Sequence, residues 1–282
     1  MRKLFGMIVA LSLFFTMSTS AFATIPEEID LHDHSTEIFN TYSIDSESPE
    51  DLPTSFSETL FSSTITPESA DSESSLASKF ILITIKHDYT YVSSKKEHKH
   101  SFNIDAPGTL IKPPVDAIFK ITRSDTENGI YTEVDRLKVT DASYIKTYNI
   151  SIPRATGHYK VVVELTARKA NQSVGSPVTG SSQLINKTGN IWIFVHTDST
   201  SGKTLAKPPA NYTKGALYTR PSNLNKTYET WYNKTYSAKL DVTDYDVHHI
   251  KPLEYGGDNT MGNLIHLNKL MHKGVTAWFA GY

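Results

Sequence analysis

The sequence predicts a multidomain chain in which an all-β, sandwich-like middle domain precedes a small α+β C-terminal domain. Three observations point there. Short runs rich in Val, Ile, Tyr and Phe recur between residues 79 and 200 with turn-type residues between them. The composition then shifts, from residue 201, to a basic and aromatic stretch. Finally, residues 246–282 pass from strand-like to helix-like patterning around a Gly-Gly pair.

The 282 residues are 38% hydrophobic and 21% charged, which suits a soluble protein with two modest cores rather than a fibrous or coiled-coil chain. There is no cysteine, so thiol catalysis, thiolate metal sites and disulfide scaffolds are excluded. The formal net charge of -2 hides a strong segregation of charge along the chain.

Met1, Arg2 and Lys3 precede an apolar run from Leu4 to Met17 that is short for a bilayer, and Ala21-Phe22-Ala23 follows as a small-residue cleavage pattern. Residues 1–23 therefore read as a secretory signal. Export and no membrane attachment after cleavage are expected. From Thr24 to Ser78 there are 13 Asp and Glu and no Lys or Arg, which predicts an acidic disordered segment over 24–78. Its plain role is a solvated linker, its sharper one a polyanion mimic that covers a cationic site. Residues 79–282 carry 26 Lys and Arg against 17 Asp and Glu, so the folded part is basic.

Within the β-sandwich-like domain, 79–200, the strand candidates are Phe80 to Ile85, Val115 to Ile121, Tyr148 to Ile152, Tyr159 to Leu165 and Ile191 to Val195. Ile81, Ile83 and Ile85 alternate with polar neighbours, as do Tyr148, Ile150 and Ile152, which gives one buried and one wet face. No catalytic constellation is present, and binding, spacing or delivery is the expected role. The cluster Lys95, Lys96, His98, Lys99 and His100 reads as a solvated hairpin tip, because its lysines repel cations.

In 201–239, seven Lys or Arg face the single acid Glu229, interleaved with Tyr212, Tyr218, Tyr228, Trp231, Tyr232 and Tyr236. Cations capture phosphates and aromatic faces stack on bases, so the mixture suits nucleic acid. It equally suits a helical core with lysines on its wet side.

Asp246 to Ile250 reads as a strand, Gly256-Gly257 as a tight loop, Asn263 to Leu267 as a returning strand, and Asn268 as the cap of a helix from Lys269. Such a ββα unit converges His248 and His249 on the helix residue His272. Trp278, Phe279 and Tyr282 are expected to pack the helix onto the hairpin.

His248-His249, Pro252, Gly256-Gly257, Asn263-Leu264 and His272, in this order and spacing, resemble the HNH endonucleases of the ββα-metal class, including colicin-type nuclease domains. The resemblance makes 201–282 an HNH nuclease domain with a basic lead-in. It implies a metal-dependent endonuclease that hydrolyses phosphodiester bonds of DNA, with RNA also open to it, leaving 5′-phosphate and 3′-hydroxyl ends. By the same resemblance His249 is the general base, and His248 and His272 are ligands to one divalent ion, Mg²⁺, Mn²⁺, Ni²⁺ or Zn²⁺. Asn263 ties the loop, and Asp246 supports an imidazole or the cation. One departure is Thr276, where many members carry a further helix histidine; two protein ligands remain. His266 is expected to be a phosphate contact or a surface histidine. A secreted antibacterial toxin with a small immunity protein as partner fits, as does a nutritional nuclease. The alternative is an extracellular binding or adhesion protein with an inactive HNH-like unit.

Overall fold

Alternation of inward and outward side chains builds two antiparallel sheets that share one apolar core. The computed structural model describes residues 39–43, 52–66, 79–108, 112–168, 172–173, 177–215 and 218–282. The chain divides into Met1–His34 and Ser35–Tyr282, and all described residues belong to the second unit. The expected signal segment 1–23 lies outside the described residues. Among the described residues no helix is long and apolar enough to cross a membrane.

The first sheet has the order β1–β2–β3–β4–β7, from β1 (Phe39–Ser43), β2 (Ser55–Thr66), β3 (Lys79–Val92), β4 (Glu97–Asp105) and β7 (Tyr148–Pro153). The second pairs β5 (Val115–Ser124) with β6 (Thr132–Val139) and with β8 (Gly157–Ala167). Three short strands, β9 (Gln172–Ser173), β10 (Val178–Thr179) and β11 (Gln183–Ile185), also pair with β8. Phe102 of β4 stacks on Phe119 of β5 at 4.7 Å between ring centroids, which joins the sheets across the core.

Four of the five expected strands are present, with longer bounds than the apolar runs suggest. The fifth is not a strand. Ile191 makes a single bridge to Ile185, while Trp192 is drawn into another core and Val195 is 84% exposed. Two strands fall where the composition predicts disorder: β1 and β2 lie inside 24–78. In β2, Phe56, Glu58 and Leu60 point inward at every second position, and pairing with β3 supplies the backbone partners that an isolated acidic segment lacks.

The basic cluster is also corrected. Lys95 and Lys96 form the exposed turn, but period-2 alternation in β4 puts His98 and His100 on the core face, where both are buried. Glu58 Oε1 lies 2.7 Å from His87 Nδ1, and His87 Nε2 lies 3.0 Å from His100 Nδ1. Tyr89 Oη lies 2.7 Å from His98 Nδ1. These contacts satisfy most of the buried polar atoms, although Nε2 of His100 has no hydrogen-bond partner.

Beyond the sheets, β12 (His196–Thr197) pairs with β13 (Thr204–Leu205), α1 spans Leu224–Tyr236, β14 (Tyr245–His249) pairs with β15 (Leu264–Asn268), and α2 spans Lys269–Ala280. The C-terminal core draws on residues before 201. Leu184 and Trp192 pack with Ile265, Val275, Trp278 and Tyr282. Asn186 Nδ2 donates to Trp278 O at 2.7 Å, and Trp278 Nε1 donates to Asn190 O at 3.0 Å. Trp278, Phe279 and Tyr282 thus fasten α2 to the 184–192 segment as well as to the hairpin.

Candidate active site

Cross-strand partners in an antiparallel pair point to the same face. His248 is opposite Ile265 and Val247 is opposite His266. Asp246, His248, Ile265 and Leu267 therefore face α2, whose Val275 and Trp278 share a core with Ile265 and Leu267. Val247, His249, Leu264 and His266 face α1, whose Leu224, Tyr228 and Tyr232 share a core with Val247 and Leu264. The aromatics Tyr228 and Tyr232 are thus core residues and not base-stacking platforms. Asn268 Oδ1 accepts from Met271 N at 2.8 Å and starts α2, which places His272 on its first turn.

The loop between the strands is held from inside. Asn263 Oδ1 accepts from Lys251 N at 2.8 Å, and its Nδ2 donates to Lys251 O at 3.0 Å and to Asp258 O at 2.9 Å. A Cβ on Gly257 would meet Lys251 O at 1.8 Å, and Gly256 has φ +79, so both glycines are required by the turn.

A cleft of about 410 Å³ opens here, lined by Arg220, His248, His249, Glu254, His272 and Thr276 among others. The rings of His248 and His272 are 5.3 Å apart between centroids. Nδ1 of His272 lies 3.2 Å from Asp246 Oδ2. His249 Nε2 lies 2.9 Å from Asn259 Oδ1, and Arg220 Nη1 lies 3.4 Å from His249 Nδ1. Arg220 is anchored by donating from Nη2 to Asn225 Oδ1 at 2.7 Å and to Val247 O at 3.0 Å.

Burial, with like-charge neighbours second, lowers the pKa of His248 to about 3. Burial lowers His249 too, opposed by its bond to Asn259 and reinforced by Arg220. His272 is likewise lowered by burial, against the pull of Asp246. All three imidazoles are therefore neutral at pH 7, the form that can bind a cation or accept a proton.

The structure brings His248, His249 and His272 to one cleft, with Asp246 held against His272 and Asn263 tying the loop that follows His249. His266 is elsewhere. It is buried on the α1 side among Tyr228, Tyr232 and Tyr245, 4.0 Å from Asp198, and so is neither a phosphate contact nor a surface histidine. Thr276 lines the cleft, but its hydroxyl donates to His272 O at 2.8 Å. Arg220 and Asn259 had no assigned role in the sequence. Arg220 was one cation among seven, and its being the lone arginine there was the available signal; Asn259 offered none.

Among the described residues, no three His, Cys, Asp or Glu side chains converge as a caged cation requires. The donor set nevertheless fits a cation held by two protein ligands. Nε2 of His248 is buried without a hydrogen-bond partner, and Asp246 engages Nδ1 of His272, leaving that ring's Nε2 as the lone-pair nitrogen. Comparison of the chain with protein-family profiles, with curated proteins and with solved structures finds no match.

Proposed function

We propose that the cleft is the active site of a secreted, divalent-metal-dependent endonuclease of the HNH type that hydrolyses phosphodiester bonds of DNA. The observation that carries it is the unpartnered, buried Nε2 of His248 beside a carboxylate-held His272, with a neutral His249 in the same cleft. His248 and His272 would hold Mg²⁺, Mn²⁺, Ni²⁺ or Zn²⁺, which would supply stabilisation of the negative charge that develops during hydrolysis.

The chain's own residues do the rest. Arg220, the cation nearest His249, binds a non-bridging phosphate oxygen and so places phosphorus beside the base. A water oxygen bonds to phosphorus as its proton passes to His249, and the bond from phosphorus to the 3′ oxygen breaks, the departing oxygen taking a proton from solvent. The products are a 5′-phosphate and a 3′-hydroxyl. Because attack by water needs no 2′-hydroxyl, DNA suffices as substrate and RNA is tolerated. This chemistry serves release as an antibacterial toxin, with a small immunity protein protecting the producer, or the scavenging of extracellular DNA for nutrients.

Supercoiled plasmid incubated with the purified full chain and each metal in turn tests the proposal. Nicking that chelator abolishes is expected, with structured RNA cut in a parallel arm. Persistent DNA binding without nicking under every metal would instead favour an extracellular binding or adhesion protein.

A further inference from the structure

Two hydrogen bonds at the rim of the cleft fix more than position. Asn259 Nδ2 donates to Thr219 O at 3.0 Å, so the amide's oxygen is the atom that faces His249 Nε2 at 2.9 Å. An amide oxygen can only accept, so Nε2 of His249 must carry the hydrogen. In a neutral imidazole the lone pair is then on Nδ1, which accepts from Arg220 Nη1 at 3.4 Å. The phosphate-binding cation and the proton-accepting nitrogen thus share one side of the ring.

We infer that Asn259, braced on the Thr219 carbonyl, is the positioning residue that selects the His249 tautomer and leaves the Nδ1 lone pair to take a proton from the attacking water once Arg220 turns from Nδ1 to a phosphate oxygen. This rests on the nuclease reading and deepens it, since without Asn259 the ring can flip or exchange tautomers and present N–H where a lone pair is needed. The proton path is then complete. Water gives its proton to Nδ1, Nε2–H stays on Asn259, and the resulting imidazolium donates from both nitrogens.

The test compares the full chain with Asn259→Leu, which removes the acceptor at similar size, and Asn259→Asp, which keeps an oxygen acceptor. Ring-nitrogen correlation spectra, with the His249 signals assigned by their loss in His249→Ala, report the tautomer without requiring turnover. The wild type should show Nε2–H, and Asn259→Leu should show a mixture. In the plasmid assay Asn259→Leu should lower kcat about 100-fold at unchanged KM, with Asn259→Asp recovering to within about tenfold of wild type. A wild-type His249 protonated on Nδ1, or a folded Asn259→Leu with wild-type kcat, would overturn the inference. Absence of nicking by the wild type under all metals would instead remove the nuclease reading, and the spectra would still decide the tautomer.

Discussion

Asp246 on β14 and His272 on α2 are joined across the hairpin face by a 3.2 Å contact from Oδ2 to Nδ1. A carboxylate behind an imidazole fixes its tautomer and raises its strength as a ligand. Asp246→Ala should therefore weaken divalent-metal affinity about 10- to 100-fold. Titration calorimetry with Mn²⁺ measures this, and unchanged affinity would mean that the contact is incidental to binding.

His248 presents the opposite balance. Its Nε2 is buried without a partner, a state that costs about 1–3 kcal/mol relative to an apolar group of similar shape. His248→Leu should leave thermal stability in chelator unchanged or higher while abolishing nicking. A large drop in Tm would show that the ring is there for packing.

The loop depends on Asn263, which makes three hydrogen bonds to Lys251 and Asp258. Asn263→Ala should cost about 1–3 kcal/mol in urea unfolding, since part-buried backbone groups of Lys251 and Asp258 lose their partners. Nicking should fall with it because His249 immediately precedes the loop. Wild-type stability in this variant would place the loop's rigidity in its glycines alone.

Acid should loosen the sheets. Burial lowers His98 to about 4 and pushes His100 well below the usual histidine range. Above the unfolded value near ~6.5 both rings are neutral in either state, and the stability is complete. Between there and about 4, the unfolded chain takes up protons that folded His98 refuses, so stability falls as pH falls, by about 3 kcal/mol for His98 alone. Urea unfolding at pH 7.5 and 4.5 checks this; equal midpoints would show these rings to be hydrated.

The C-terminal core begins before residue 201, because Leu184 and Trp192 pack on Trp278 and its neighbours. A fragment spanning 201–282 should show no cooperative thermal transition under conditions where the full chain shows one. A sharp transition in that fragment would mean that the hairpin and two helices suffice.

What the sequence revealed was local. The ββα turn order, the Asn268 cap and the pairing of Gly256-Gly257 with Asn263 are set within some twenty residues of chain, so spacing alone could carry them. Strand β4 was illegible because His98 and His100 look polar and sit inside beside partners distant in sequence, His87 and Tyr89 on β3 and the Ala155 backbone. Strand β2 was masked by acidic composition, although Glu58 is the buried partner of His87. Arg220 and Asn259 reach His249 through tertiary contacts from 29 and 10 residues away, where no periodicity links them.

The hairpin between α1 and α2 has one further consequence. Consecutive histidines of a single strand answer to different cores, His248 to the packing under α2 and His249 to that under α1. Repacking beneath one helix shifts His248, the ring proposed to hold the metal, while leaving its neighbour in register, and repacking beneath the other does the reverse. On the proposed nuclease reading, cation preference and turnover can thus drift separately under selection, even though the peptide bond between the two rings never lengthens.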